Sequence, residues 1–168
     1  VVEFFDKAPI DNIISCVALS PDRVVFVGGN YKAMLRKKDV YASIFRSCGI
    51  NAEIRLCTIN KDSLSETCEK LTEIVRSEAD CVFDCTGGED LVLVAMGMTA
   101  ARLPALRMVR TDARTGAVLD CASGKHIMPE RSLSLTAEED VALHGGRIVG
   151  GERGGTGIDA DMRAMWEV

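Results

Sequence analysis

Aromatic side chains are scarce: five Phe, two Tyr and one Trp make up 5% of the 168 residues. The core must therefore be assembled mainly from aliphatic and sulfur-bearing side chains. Histidine is scarcer still. The two present, His126 and His144, have no ligand-like spacing, which argues against a zinc site. The seven cysteines include no CxxC pair and are scattered along the chain, so they read as reduced, buried core thiols rather than a disulfide framework. Cys81 and Cys85, four apart on a predicted strand, would lie roughly 13 Å apart, beyond disulfide reach.

Positive charge is also short. Lys and Arg number 20 against 25 Asp and Glu, a net charge of −5, which excludes a broad electrostatic grip on long DNA or RNA. A small anion held by a local patch stays open. The longest apolar run, Leu91 to Ala101, is too short to span a bilayer, so no membrane role is expected. No charged-then-apolar leader precedes the first strand, and a cytoplasmic protein is the expectation. The opening Val1, without Met, is what a piece of a longer product would show.

What the sequence does have is alternation. Val1 to Phe5 is a β-rich run, and "IISCVAL" after it has apolar residues at helical spacing, with Asn12 as its N-cap. "RVVFV" (23 to 27) is a continuous apolar run suited to a central parallel strand, ended by Gly28 and Gly29. A helix is predicted over 31–48, then an edge strand, "AEIRLCTI" (52 to 59), then a helix capped by Ser63 and Glu66. "CVFDC" (81 to 85) is the next strand and 89–102 the next helix. "LRMVRTD" and "AVLDC" form a hairpin over 106–121 turned by Gly116, and Thr136 with Glu139 caps a short helix that stops at Gly145 and Gly146.

The expected fold class is α/β: a Rossmann-like parallel sheet covered by helices on both faces, with a C-terminal β-hairpin and short helix. This domain is expected to cover residues 1–146. Seven of the fifteen glycines fall between 145 and 157, so 147–168 reads as a Gly-rich linker and the start of a following domain.

Parallel sheets bind ligands beyond the C-terminal ends of their strands. Three loops qualify: Asp6 to Asn12, Gly28 to Lys32 and Thr86 to Asp90. The first βα turn lacks GxGxxG, and Asn30 stands where an NAD-binding chain carries an acid, so an ordinary dehydrogenase is not expected. The "GGTG" at 154 to 157 lacks strand-turn-helix context. The candidate ligand contacts are Asp6, Lys7, Ala8, Pro9 and Asn12; Gly28, Gly29 and Asn30; and Thr86, Gly87, Gly88, Glu89 and Asp90.

Two readings of the last turn stand side by side. Thr86 and Glu89 spell a T-x-x-E capping box, and acids in a first turn complement the helix dipole. Against that, Gly87 and Gly88 would each let the backbone take positive φ and let a ligand approach exposed N–H groups. Lys7, Lys32 and Arg36 are available to offset Glu89 and Asp90. The helix behind, "LVLVAMGMTAA", is apolar all round and must be covered either by another chain or domain or by the C-terminal hairpin.

The combination resembles a known family. "VEFFDKAPIDNI", "RVVFVGG", "FDCTGGEDLVLVAMG" and "LSLTAEEDVALHGG" are together similar to a CARF domain, the CRISPR-associated Rossmann fold, over about residues 1 to 150. The nearest similarity is to nucleases that join such an N-terminal sensor to a C-terminal restriction-endonuclease-like domain. The resemblance implies a homodimer binding a cyclic tetra- or hexa-adenylate across its twofold axis, through residues 6–12 and 86–90. It implies no catalytic residue, cofactor or metal in this domain, and a divalent metal in a nuclease domain beyond it. CARF members often follow TGG with Thr-Lys, whereas this chain has Glu89 and Asp90. An alternative is a Mg-dependent phosphoesterase or ring nuclease using the strand-end carboxylates Asp6, Asp11, Asp84, Glu89 and Asp90.

Overall fold

The computed structural model describes residues 1–5, 9–112, 114–127, 133 and 135–146. The expected linker at 147–168 lies outside them. Five parallel strands alternate with four helices: β1 (Val2–Phe4), α1 (Pro9–Leu19), β2 (Arg23–Gly28), α2 (Tyr31–Ser47), β3 (Glu53–Thr58), α3 (Leu64–Ser77), β4 (Val82–Asp84), α4 (Asp90–Arg102) and β5 (Arg107–Asp112). Two antiparallel strands, β6 (Ala117–Asp120) and β7 (His126–Ile127), and a short helix α5 (Ala137–Leu143) follow. They form one sheet in the order β3-β2-β1-β4-β5-β6-β7. The α/β, Rossmann-like expectation is met.

The hairpin expected at 106–121 is more than an appendage. Its first arm, β5, pairs in parallel with β4, and its second arm pairs back on β5. Polar alternation in "RMVRTD" signals a strand without naming its neighbour, since pairing partners are set by tertiary position.

Helices cover both faces. Phe26, Met34, Tyr41, Ile44 and Phe45 pack with Ile13 and Cys16 on the face carrying α1 and α2. Val2, Phe4, Val27, Leu71, Phe83, Val92 and Met96 pack on the face carrying α3 and α4. Because side chains alternate along a strand, Val2 and Phe4 turn to α4 while Glu3 between them turns to α1.

The starts of α1 and α3 depart from expectation. Pro9, not Asn12, opens α1, as suits a residue with no N–H to leave unpaired. Asn12 lies within the helix. Ser63 occupies the N-cap of α3 but makes no side-chain cap bond, and Glu66 accepts from Asn60 instead. At α5 the capping box of Thr136 and Glu139 does form. Its C-terminal end closes as a Schellman motif: Gly145 N donates to Ala142 O and Gly146 N to Val141 O, with Gly145 at φ +89°. Lys37 of α2 donates to the carbonyls of Ala142 and Leu143, and Ser47 of α2 donates to Glu139 at 2.8 Å.

All seven cysteines are free, but only Cys16 and Cys68 are the buried thiols expected, and Cys121 is exposed. Burial pushes the Cys85 thiol up to about 12. Among the described residues no helix is long and apolar enough to cross a membrane.

Candidate functional site

β1 feeds α1 on one face and β4, its neighbour, feeds α4 on the other. Between two such strands the chain parts to either side and leaves a crevice beyond their C-terminal ends, the usual ligand position in an open α/β sheet. The turns after β2 and β4 stand at this same end of the sheet, and Asp6, Lys7 and Ala8 lie outside the described residues.

On the β1 side Pro9 and Asn12 are buried. Asn12 donates through Nδ2 to Phe4 O at 3.2 Å and accepts from the Tyr41 hydroxyl at 3.4 Å. It clamps β1 to α1 and α2, a structural duty in place of the N-cap predicted for it. On the β2 side Gly28 is buried, and a Cβ there would sit 3.2 Å from Met34 Sδ. Asn30 caps α2, its Oδ1 accepting from Ala33 N at 3.1 Å. Gly29 is exposed, and the aliphatic part of Lys61 runs beside it.

The turn after β4 is not the capping box that T-x-x-E spells. Glu89 itself is the N-cap of α4 and bonds no first-turn N–H through its side chain. Thr86 has turned the other way. Its hydroxyl donates to Asp84 Oδ1, its N–H donates to the same oxygen at 2.8 Å, and its Oγ1 accepts from Thr111 N at 2.6 Å. The turn is thereby tied to the ends of β4 and β5. Of its two glycines only Gly88 has positive φ, +138°, contrary to the expectation that each would. A Cβ at Gly88 would stand 3.4 Å from Phe4 and Leu93, so a valine there strains the backbone and tests folding as much as binding. Glu89 points to Lys61, whose Nζ lies 2.7 Å from Glu89 Oε1, and Asp90 is exposed in the first turn. Lys61 was not among the predicted cations. Its part depends on a fold-back of 28 residues that no local pattern announces.

Directly beneath the crevice lies a feature the sequence reading passed over. Glu3 and Asp84 are register partners on β1 and β4, facing α1, and are 0% and 3% exposed. Ser15 donates to Glu3 Oε1 at 2.6 Å, and Cys16 Sγ lies 3.2 Å from the same oxygen. Glu3 Oε2 and Asp84 Oδ2 have no hydrogen-bond partner among the described residues. Burial first, then the neighbouring Asp84, push the Glu3 carboxyl up to about 8, and burial raises Asp84 as well. The signal was present in "VVEFF": an acid flanked by apolar residues on a strand covered on both faces must itself be buried.

Among the described residues the strand-end carboxylates do not gather as metal ligands, and Asp6 lies outside them. Asp84 is turned under the sheet end and Glu89 is paired with Lys61. Among the described residues no three His, Cys, Asp or Glu side chains are placed to hold a metal ion. A groove lies elsewhere, along α3 and α4, lined by Cys68, Thr72, Arg76, Met98 and Arg102.

No family model matches the sequence, and no curated protein matches it. Solved structures do. The chain is similar to Can2 from Sulfobacillus thermosulfidooxidans, solved with cyclic tetra-adenylate, with a TM-score of 0.71 and 17% identity over 86% of this chain and 40% of that one. It is similar to the protein VC1899 from Vibrio cholerae, with a TM-score of 0.66 and 10% identity over 84% of this chain and 38% of that one. It is also similar to a Type III CRISPR defence DNA nuclease activated by cyclic oligoadenylate, with a TM-score of 0.60 and 15% identity over 84% of this chain and 22% of that one. The fold is the one the CARF resemblance predicts. At these identities the likeness is one of fold, and the chain spans two-fifths or less of the length of each of these proteins.

Proposed function

We propose that this chain is a CARF sensor domain that binds a cyclic oligoadenylate in the crevice beyond β1 and β4, as a cytoplasmic homodimer, and controls a nuclease domain outside residues 1–146. The observation that carries the proposal is the fold shared with Can2 solved with cyclic tetra-adenylate and with a cyclic-oligoadenylate-activated nuclease. The crevice supports it chemically. The glycine turn brings the backbone close to the start of α4, and a helix start favours an anion.

Pairing through α4 is supported by what leaves that helix uncovered. β6 and β7 extend the sheet edge and pack with α1 rather than over α4. Val94 and Met98, one turn apart, remain 52% and 38% exposed. Covering by the hairpin, the second option read from the sequence, is not how the described residues are arranged.

Isothermal titration of the chain with cyclic tetra-adenylate and cyclic hexa-adenylate, with and without Mg²⁺, tests the proposal. Binding of one ring per two chains is the expected result, because the ligand would sit on the twofold axis. No binding of either ring overturns the sensor role, and a stoichiometry of one ring per chain overturns the shared site. Cleavage of the ring in the same samples would favour the ring-nuclease alternative.

A further inference from the structure

We infer that Lys61 is a ligand-binding cation of this site, supplied by the β3–α3 turn, and that Glu89 holds it until an anionic ligand arrives. The inference rests on the sensor reading and assigns one further binding residue to it. Three strand-end loops meet at this one side chain. Lys61 starts after β3, passes Gly29 after β2, and ends 2.7 Å from Glu89 Oε1 after β4. The passage is close: a Cβ at Gly29 would stand 3.3 Å from Lys61 Cδ, and the lysine would have to give by a few tenths of an ångström.

The base of Lys61 is firmly placed. Ile59 N donates to Gly28 O at 3.1 Å, which ties the end of β3 to β2. Asn60 O accepts from the Thr67 hydroxyl at 2.7 Å, and Asn60 Oδ1 accepts from Asp62 N at 3.2 Å. The head of the side chain is freer. Lys61 is 43% exposed and Glu89 48%, and ion pairs this exposed are weak. A phosphate oxygen can therefore replace the Glu89 carboxylate at little cost, and the flexible ammonium, with three donors, suits such an exchange.

Charge explains why the pair belongs together. Glu89 and Asp90 set two negative charges at the start of α4, where the proposed ligand is itself an anion. Lys61 neutralises one of them in the free protein. Turned toward a phosphate, it leaves Glu89 unpaired, so Glu89 acts as a competitor that sets a threshold for binding. The lysine binds, and the glutamate positions it.

The test is titration of cyclic tetra-adenylate and cyclic hexa-adenylate into the full chain and into Lys61→Gln, Lys61→Arg, Glu89→Gln and the Lys61→Gln/Glu89→Gln double variant. Lys61→Gln should weaken binding at least tenfold, with the loss shrinking as salt rises, while Lys61→Arg keeps most of the affinity. Glu89→Gln should tighten binding severalfold, a gain largely absent when Lys61 is already replaced, because the two residues act as a unit. Thermal melts that match the parent chain certify folding. Wild-type affinity in Lys61→Gln, or the same Glu89→Gln gain in both backgrounds, overturns the inference while leaving the sensor role standing. If the parent chain binds neither ring, the sensor role falls and the inference falls with it.

Discussion

The two faces of the sheet at β1 and β4 are made of opposite chemistry. Toward α3 and α4, Val2, Phe4 and Phe83 meet Val92, Ala95 and Met96, an apolar packing with no buried carboxyl among the described residues. Toward α1, the alternate positions of the same strands carry Glu3 and Asp84, with Asn12, Ser15 and Thr111 buried around them. The polar face loses stability as Glu3 gives up its proton, because burial penalises the charged carboxylate. The polar face also lies under the crevice, so the conditional part of the core is next to the candidate site.

Truncating the apolar face should give the largest effect. Phe83 is fully buried, and Phe83→Ala is expected to cost about 3–5 kcal/mol, read as a lower urea midpoint with an unchanged slope. A loss below about 1 kcal/mol would mean that this face is not the dry, close-packed side described.

How far the sequence alone reaches differs between these regions for a physical reason. Continuous apolar runs such as "RVVFV" make a central strand legible, and β2 lies between β1 and β3 as such a run requires. The capping pattern was less decisive. T-x-x-E occurs at Thr86 and at Thr136, yet only Thr136 closes a box, since the Thr86 hydroxyl is taken by Asp84 and by the backbone of Thr111, 25 residues on. Lys61 and Glu89 likewise meet only after folding. Local rules read the elements, while partners distant in the chain are fixed by the packing of the sheet.

The second effect is a pH dependence. The Glu3 carboxyl has an ordinary value of 4.5 and is pushed up to about 8 in the folded protein. The folded state thus binds the proton more tightly than the unfolded chain. Stability is full below about pH 4.5 and falls as pH rises toward about 8, by up to about 1.4 kcal/mol per pH unit. Asp120 and Glu139, held low by backbone N–H bonds, act in the opposite sense and only in the acid range. Glu3→Gln keeps the shape and removes the charge, so its melting temperature should exceed the parent's at pH 8 and lose most of the slope between pH 5 and 8. An unchanged slope would show that Glu3 is not the group responsible.

The smallest effect sharpens the comparison with one atom type. Cys16 lies on the polar face with Sγ 3.2 Å from Glu3 Oε1, and Cys68 lies in the apolar cluster. Replacing each by Ala removes similar packing and a thiol donor, Cys68's to Ala95 O at 3.7 Å, but only Cys16→Ala removes a donor to a carboxyl. The two losses should differ by about 0.5–1.5 kcal/mol at pH 8, with Cys16→Ala the larger, and converge near pH 5. Equal losses at both pH values would erase the distinction between the faces at this depth.

The attachment of α5 to α2 has a mechanical meaning. A rod pinned at one point can swivel, but α5 is held at two, by Lys37 on its final carbonyls and by Ser47 on Glu139 near its start. Its bearing is therefore set by α2. The first of these pins stands about 10 Å along α2 from Asn30, at a rise of about 1.5 Å per residue, so a shift of α2 along its axis would carry α5 with it.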